Sequence, residues 1–439
     1  MKMADLGKVR DVARRHLALR AVAIVAALGG LVAPAGRNVG PAAASAGVTY
    51  YVDSVLGNDA YAGTSPDGPW RTLAPVQRLA LGPGSKVLLR RGSEWAGKLT
   101  VSSSGVAGAP IVLGTYGRAG APPRIHTGGC VDLLGSHIVV EGIHTDSCTW
   151  SGIAVSGSNN VVRDSVSSGN VAGIYVRPGA TGNRIIANTL QHNNRMSVLT
   201  ATPSGDDSGA WGVLLRGDFT EVAHNLITGS DAFSYDWVRD GAAVEVYGGR
   251  SNQIHHNRAI DNNMFSELGD ARAAGNVFAY NLVVSRLERG GFLTTRGANS
   301  RYGPVLGTEL SNNSVLLQGA LSEGVVCHAG CDPQILRMRN NVIQAVRKVG
   351  YADAPFDDGN GIYYGGRIQF TPGPGSRVAP PQFTDPAAGN LRLLPTSPGV
   401  DAGDPSAVRF GVDLDGRPVP ADGNGDGIPV VDIGAYELG

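Results

Sequence analysis

A short segment that recurs along the middle of the chain constrains the fold more than any other feature. Its copies share a small or aromatic residue followed by a short run rich in aliphatic residues. They are Gly152–Val155, Gly173–Val176, Gly212–Leu215, Ala243–Val246, Phe265–Leu268, Phe292–Thr295 and Gly324–Cys327. About ten residues after most copies, a second short strand ends at Asp164, Asn188, Asn225, Asn257, Asn281, Asn313 or Asn341. The shortest spacing, from Gly152 to Gly173, is 21 residues, which predicts one turn of a β-helix.

The physics of stacking explains this pattern. In a β-helix each strand pairs with its equivalent one turn away, about 4.8 Å distant, so equivalent side chains also stack. Asn at the same bend of successive turns can form a ladder of amide hydrogen bonds and tolerates the left-handed backbone of a bend. A sandwich of antiparallel strands is the alternative, but it would not require Asn at a fixed phase. We therefore predict an all-β solenoid, a parallel β-helix.

Composition agrees with this prediction and excludes some partners. The chain has 63 Gly, 17% charged residues and 6% aromatic residues, which is typical of many short strands joined by tight turns. Its formal net charge is zero. The net charge therefore gives no indication of electrostatic binding to nucleic acid or to an anionic membrane.

The N-terminal residues have an order typical of an export signal. Basic residues including Arg14 and Arg15 precede an apolar run, residues 21–35, and the small residues Ala42–Ala46 follow. This order predicts a secretory signal peptide cleaved near Ala46, so residues 1–46 lie outside the expected fold and the protein is expected to be extracellular. The Arg14–Arg15 pair leaves twin-arginine export open beside the general secretory route. A membrane anchor is disfavoured because the apolar run is shorter than the roughly 20 residues of a span, and we expect no membrane span after cleavage.

The four cysteines of an exported chain are compatible with disulfides. The simplest pairing is Cys130 with Cys148 and Cys327 with Cys331. Four cysteines allow three pairings, so the spacing alone leaves the connectivity open.

Both ends of the expected mature chain resemble a known superfamily. The N-terminal stretch comprises Tyr50–Asp59, Gly63–Pro66 and Pro69–Leu73, and the C-terminal stretch comprises Ser397–Gly403, Asp413–Gly416 and Asp432–Glu437. Together with the repeats, they resemble secreted right-handed parallel β-helix proteins of the pectate-lyase-like superfamily, which act on carbohydrates. The resemblance implies a right-handed coil with an N-terminal capping helix, here Trp70–Ala80. It does not imply one reaction, because that superfamily includes lyases, hydrolases, epimerases and proteins without known activity.

The expected organisation follows from these features. Residues 1–46 form the signal peptide, and residues 47–128 form the cap and first coils. Residues 129–348 form the central coils with the active-site cleft, and residues 349–439 form the last coils and a closing segment.

Alternation along each repeated strand predicts which side chains face outward. The second and fourth positions are mostly aliphatic, so they should point into the coil while the first, third and fifth point out. The third position is occupied in turn by Ala154, Tyr175, Leu214, Glu245, Glu267, Thr294 and Val326, and the fifth by Ser156, Arg177, Arg216, Tyr247, Gly269, Arg296 and His328.

Glu245 and Glu267 are the candidate catalytic pair on this face. On adjacent coils their β-carbons should lie about 5 Å apart, so the pKa of one carboxyl should rise, which supplies an acid beside a nucleophile or base. Asp240 and Asp270, at the strand margins, are candidate helpers and could form a wider pair with either glutamate. Two alternatives remain open, namely Ca²⁺ binding by Glu245, Glu267 and Asp270 and a merely solvated pair.

Two long insertions, residues 195–211 and 228–242, precede the strands of Leu214 and Glu245 and carry several aromatic residues. Aromatic rings can stack on sugars, and arginines can bind hydroxyls or carboxylates, although the rings could instead only pack the loops. The candidate substrate-binding residues are Tyr175, Arg177, Trp211, Arg216, Tyr235, Trp237, Tyr247, Arg296 and His328.

These features favour a secreted glycoside hydrolase that degrades a polysaccharide or oligosaccharide, with no required cofactor or metal and with Ca²⁺ as an option. A polysaccharide lyase using Ca²⁺ or Arg and a non-catalytic carbohydrate-binding protein are the alternatives. Beyond the signal the lysines are Lys86, Lys98 and Lys348, and we expect none on the exposed face. That weakens a lyase with a lysine base, but leaves an Arg base, such as Arg216, Arg250 or Arg296, open.

Overall fold

Each turn of the chain contributes short strands to three parallel sheets that enclose one core. The computed structural model describes residues 47–118 and 120–439. The first sheet has 12 strands, all parallel. They are Thr49–Val52, Lys86–Arg90, Ile111–Tyr116, Ile138–Glu141, Val161–Arg163, Arg184–Ile186, Glu221–Ala223, Gln253–His255, Val277–Ala279, Thr308–Ser311, Leu336–Arg339 and Asp357–Gly359.

The second and third sheets are joined by strands long enough to run through both. Those strands are Glu94–Val101, Arg124–Leu133, Val342–Ala352 and Ile362–Gln369. The second sheet also holds His144–Asp146, Val166–Ser168, Thr189–Gln191, Leu226–Thr228, Arg258–Ile260, Leu282–Ser285, Ser314–Leu317 and Arg377–Val378. The third sheet also holds Ser151–Val155, Ala172–Val176, Trp211–Leu215, Ala242–Tyr247, Met264–Gly269, Gly291–Arg296 and Glu323–His328.

The remaining elements lie outside the coil. They are the antiparallel pairs Met196–Val198 with Ser208–Gly209, Ala232–Ser234 with Val238–Asp240, and Phe383–Asp385 with Asn390–Leu393, the α-helix Ala74–Gln77 and the 3₁₀ helix Pro405–Ala407. The predicted all-β, right-handed parallel β-helix is confirmed.

An asparagine ladder runs along the bend between the first and second sheets. Asn188, Asn225, Asn257, Asn281 and Asn313 each donate from Nδ2 to Oδ1 of the next asparagine at 2.9–3.0 Å, and the ladder ends at Asn341. In the first of these turns Ser165, and not Asp164, occupies the equivalent position, because its backbone N–H donates to Asn188 Oδ1. The left-handed backbone falls on the residue before the ladder, for example His256 with φ 53°.

The N-terminal helix is much shorter than expected. It spans Ala74–Gln77 instead of Trp70–Ala80, because Trp70 is held by the first sheet through its bridge to Val52 and its ring stacks on Tyr50. The helix ends at Gln77, and Arg78 is its C-cap. Val76 packs into the core, and Gln77 donates to the backbone carbonyl of Lys98 at 3.0 Å. The helix therefore lies against the first strand that enters the third sheet.

The C-terminal segment folds back along the coil. Phe383, Leu391 and Ile433 pack with Leu316 and Val342 against the outside of the second sheet. Arg258 donates to the Tyr436 hydroxyl at 3.0 Å. The closing segment thus covers the second sheet and leaves the third sheet to carry the candidate site.

Both simplest disulfides are present. Cys130 bonds to Cys148, and Cys327 bonds to Cys331. Within residues 47–118 and 120–439, no helix is long and apolar enough to cross a membrane. The predicted signal peptide, residues 1–46, lies outside the described residues, and the boundaries expected at residues 128 and 348 stay predictions.

Candidate active site

The strand register of the third sheet sets the two glutamates side by side. Tyr175 pairs with Leu214 and Leu214 pairs with Glu245 on successive turns. Val246 pairs with Leu268 in the next step, so Glu245 lies next to Glu267, whose other neighbour is Thr294. The outward row predicted from the third position is therefore continuous along this sheet.

The first position of each strand faces inward, which corrects the predicted alternation. Phe265 and Phe292 are buried in the main core, where their rings stack at 5.7 Å. The preceding residue, for example Trp211, belongs instead to an apolar cluster outside that core. Two consecutive residues thus face inward where the strand begins, because the chain is still turning out of the second sheet there. Trp211 consequently belongs to the strand face, and not to the loop as expected.

Glu267 is held by an ion pair from the next turn. Arg296 Nη2 donates to Glu267 Oε1, and Arg296 Nη1 donates to the Leu268 carbonyl oxygen at 2.5 Å. Arg296 is 5% exposed, so solvent screens this pair little. The pairing places a positive charge directly against the Glu267 carboxyl and orients it.

The surroundings of Glu245 and Asp240 favour the protonated form of each carboxyl. Burial raises the pKa of Glu245 well above its usual range, and the carboxyls of Glu267 and Asp240 raise it further. Burial raises the pKa of Asp240 to about 8, with a further contribution from Glu267, although the Gly241 backbone N–H donates to it at 2.7 Å. The site therefore combines a carboxyl bound by arginine with two neighbouring carboxyls whose pKa values are raised.

The downstream margin of the pair is lined by aromatic and charged side chains. The Arg216 guanidinium lies 5.4 Å from the Tyr247 ring centroid, and the Tyr302 ring lies 6.5 Å from the Tyr247 ring. Burial raises the pKa of Tyr247, and the Asp270 carboxyl adds to the rise. Asp270 has a positive φ of 73° and accepts from the Arg272 backbone N–H at 2.9 Å, so it lies at the strand end opposite Asp240.

His328 extends this row by one turn. It pairs in register with Arg296 on the neighbouring strand. Burial lowers its pKa, and the Arg296 charge lowers it further, so the imidazole is neutral at neutral pH and can donate or accept a hydrogen bond.

Reciprocal carboxylate contacts lock the two insertions together. Asp236 accepts four backbone N–H groups, from Ser204 and each residue through Asp207, at 2.8–2.9 Å. Asp207 accepts in return from the Ser234 hydroxyl at 2.9 Å and the Tyr235 backbone N–H at 2.7 Å. This lock positions the hairpin that ends at Asp240.

The hairpin carries two of the predicted sugar-binding aromatics. Tyr235 is 46% exposed and contacts Phe233 edge to face at 4.9 Å. Trp237 is partly buried, and its buried Nε1 has no hydrogen-bond partner among the described residues. Tyr235 therefore keeps exposed ring surface for a ligand, and Trp237 keeps an indole N–H that no described residue accepts.

An aromatic platform lies upstream of the glutamates. The Trp150 ring lies 4.9 Å from the Tyr175 ring and 6.0 Å from the Trp211 ring. Trp211 is 8% exposed, so most of its surface packs the platform and does not face solvent.

Lysines occupy the third sheet, contrary to expectation. Lys98 Nζ binds Asp132 Oδ2 at 2.9 Å, and Asp132 stands beside Ala154 in the outward row. Lys348 pairs with Glu323 across adjacent strands of the same sheet. The prediction failed because both lie on the long strands that join two sheets, which do not show the short repeat.

Sequence reasoning also missed Asp132, Trp150 and Tyr302. Extending the repeat one turn upstream would have found Asp132, since Val131–Leu133 pairs with Ile153–Val155. Trp150 directly precedes its strand in the sequence. Tyr302 comes from a loop, and no periodic signal marks it.

Of the described residues, two groups bring three or more potential metal-binding side chains together. They are His224, His255 and His256, and Asp206, Asp207 and Asp236. Neither group includes Glu245, Glu267 or Asp270. Glu267 is bound by the Arg296 guanidinium, and Ca²⁺ binding by Glu245, Glu267 and Asp270 stays a prediction.

The fold is that of a parallel β-helix protein with a pectate-lyase-like architecture. Among solved structures, the chain is similar to pectate lyase Pel9A, with a TM-score of 0.57 and 16% identity over 89% of this chain and 96% of that one. It is also similar to XylC in complex with xylose, with a TM-score of 0.55 and 11% identity over 89% of this chain and 99% of that one. At these identities the likeness shows the fold alone.

One curated relative matches a short part of the chain. It is a lacto-N-biosidase of Bifidobacterium longum subsp. longum, 47% identical over 79 residues, which are 17% of this chain and 5% of that protein. The chain thus spans a small fraction of that relative's length. No protein-family model matches the chain.

Proposed function

We propose that this protein is a glycoside hydrolase that cleaves an oligosaccharide or polysaccharide bound along the third sheet. The observation that carries the proposal is the unequal carboxyl pair on adjacent turns, with Glu267 bound by Arg296 and the pKa of Glu245 raised by burial. Glycosidic cleavage requires one carboxyl that donates a proton to the leaving oxygen and a second that acts as nucleophile or base. The segment shared with a lacto-N-biosidase supports a hydrolase.

The proposed roles follow from the two environments. Glu245 donates the proton to the glycosidic oxygen, and the Glu267 carboxylate attacks the anomeric carbon or activates the water that does so. The β-carbons of adjacent turns lie about 5 Å apart, and carboxyls separated by about 5–5.5 Å suit retention of configuration. Asp240, whose pKa is raised to about 8, adds no negative charge beside Glu245 and Glu267 at neutral pH.

A panel assay tests the proposal. The protein is incubated with neutral and acidic polysaccharides, with and without chelator, and the products are analysed for reducing ends and for unsaturated sugars. We expect new reducing ends without unsaturated products, unaffected by chelator. Glu245→Gln and Glu267→Gln should each lower kcat by a factor on the order of 10² to 10⁴. The exposed Glu288 provides the control substitution Glu288→Gln, which should keep full activity.

A polysaccharide lyase is the second candidate, because Lys98 lines a pocket on the same sheet together with Asp132 and Arg177 and could supply a base there. Lyases remove a proton beside a uronate carboxylate and leave an unsaturated product. Unsaturated products in the panel assay would therefore replace the hydrolase by a lyase, and full activity of both glutamate variants would remove the assigned roles.

We also propose that residues 1–46 direct export and are then removed. The basic, apolar and small-residue order of this segment supports the proposal. The mass of the protein recovered from the medium of an expressing cell tests it, since cleavage near Ala46 has a defined mass.

A further inference from the structure

A cavity opens on the third sheet, upstream of the carboxyl pair. Its volume is about 320 Å³, and its lining includes Lys98, Asp132, Trp150, Tyr175 and Arg177. The register runs from Asp132 through Ala154, Tyr175 and Leu214 to Glu245. Four turns at about 4.8 Å each place Asp132 about 19 Å from Glu245, and Tyr175, at the near side of the cavity, is two turns from Glu245.

The Asp132 carboxylate is poised for a ligand. The residue is 5% exposed, and Oδ2 is bound by Lys98 Nζ at 2.9 Å. The buried Oδ1 has no hydrogen-bond partner among the described residues. Leaving a buried acceptor unpaired is unfavourable. A ligand hydroxyl that donates to Oδ1 would therefore contribute favourable binding free energy.

The wall beside Asp132 is aromatic. The rings of Trp150 and Tyr175 lie 4.9 Å apart, and Trp150 Nε1 donates to the Ser197 hydroxyl at 3.1 Å. The first insertion thus fixes the indole in place. A rigid ring pair offers an apolar surface on which the C–H face of a pyranose can stack.

Cations complete the cavity without making it an anion site. Arg177 Nη2 lies 3.8 Å from Asp132 Oδ2, and its guanidinium, like the Lys98 ammonium, is partly exposed. These groups can donate to a sugar hydroxyl adjacent to the one that donates to Asp132. The Asp132 carboxylate offsets one of these positive charges, and it would repel a sugar carboxylate placed at Oδ1.

We propose that this cavity is a distal subsite for a neutral pyranose unit with two adjacent free hydroxyls. The inference rests on the proposed function and deepens it, because it makes the substrate a neutral glycan that spans several sugar units from the cavity to Glu245. Asp132 accepts one hydroxyl, Arg177 and Lys98 donate to the next, and Trp150 stacks on the ring.

Binding without turnover tests the subsite separately from catalysis. The Glu267→Gln protein is titrated with neutral gluco-, xylo-, manno- and galacto-oligosaccharides from disaccharide to hexasaccharide, and with oligogalacturonides, by calorimetry. We expect one neutral series to gain affinity with length. In the same background, Asp132→Asn and Trp150→Ala should each weaken the longest members about tenfold or more while leaving the disaccharide unchanged.

Asp146→Asn is the matched control, because Asp146 pairs with Arg124 on the second sheet, and circular dichroism checks the fold of each variant. The subsite is wrong if the length dependence survives both substitutions, if only oligogalacturonides bind, or if no oligosaccharide binds. Length-dependent binding that the variants abolish, combined with no hydrolysis by the unsubstituted protein, would leave the subsite standing and remove the hydrolase.

Discussion

Arg296 binds the carboxylate of Glu267 from the adjacent turn of the third sheet and, with its other terminal nitrogen, the Leu268 carbonyl at 2.5 Å. Two contacts from one planar guanidinium fix both the charge and the orientation of that carboxylate. Among the described residues, neither Glu245 nor Asp240 forms such an ion pair, and burial raises the pKa of both. The asymmetry of the site thus depends on this single cation.

Replacing Arg296 by lysine should lower kcat by about a hundredfold with a smaller change in KM. An ammonium cannot make both contacts in the same geometry, and small displacements of a reacting group can cost about this much. Steady-state kinetics on the substrate found in the panel assay measures the effect. Arg272→Lys, at an exposed arginine paired with Asp218, serves as the control, and an unchanged kcat in Arg296→Lys would contradict the assigned role of the ion pair.

Activity should fall as the pH rises through about 8. The pKa of Asp240 is raised to about 8 by burial and by Glu267, so the carboxyl is neutral below that pH and becomes an anion above it. A new negative charge beside Glu245 and Glu267 changes the field in which the proton is transferred. Asp240→Asn, which resembles the neutral carboxyl, should keep activity near neutral pH within about tenfold and lose the decline near pH 8.

The kcat profile between pH 5 and 10 measures both effects in the two proteins. Asp270→Asn is the matched comparison at the other strand end, and it should keep the decline. An unchanged alkaline limb in Asp240→Asn would show that another group controls it.

Asp236→Ala should loosen the two insertions without unfolding the coil. The substitution removes the acceptor of four backbone N–H groups, so hydrogen exchange at residues 204–207 should accelerate. Because the hairpin also carries Asp240, kcat/KM should fall on the order of tenfold to a hundredfold. Exchange measured by mass spectrometry and the thermal midpoint separate the local effect from global unfolding.

Asp206→Ala is the control for this lock, since Asp206 accepts from the side chains of Ser204 and Thr200 instead of from backbone N–H groups. An equal acceleration of hydrogen exchange in both variants, or no acceleration in either, would argue against the role of Asp236.

Asn257→Ala should destabilise the whole coil by about 3 kcal/mol. Asn257 Nδ2 donates to the Val222 carbonyl and to Asn281 Oδ1 at 2.8 and 3.0 Å, and its Oδ1 accepts from Asn225. Leaving buried polar groups unpaired costs about 1–3 kcal/mol for each group. Urea unfolding followed by circular dichroism measures the loss, and Asn424→Ala, at an exposed turn position, should change the midpoint little.

Much of the fold could be predicted because it follows from local repetition. The Asn257 and Asn281 positions recur at one phase of the coil, and that phase determines which strands stack. The same register placed Glu245 beside Glu267, since neighbouring turns of a parallel coil pair residue by residue. The helix at Ala74–Gln77 escaped this reasoning, because its length depends on how Trp70 is held by the first sheet.

The amino-acid sequence by itself thus determined the parallel β-helix, the asparagine ladder and the outward row that contains the two glutamates, and it left the disulfide connectivity open. Only the tertiary structure decided that Arg296 binds Glu267, that Asp240 is brought beside them by a loop lock, and that Lys98 and Asp132 share a cavity with Trp150. The physical reason is that a repeat specifies neighbours one turn apart through backbone pairing. Side-chain conformations, loop paths and desolvation depend on contacts between segments far apart in the sequence, and no periodicity records them.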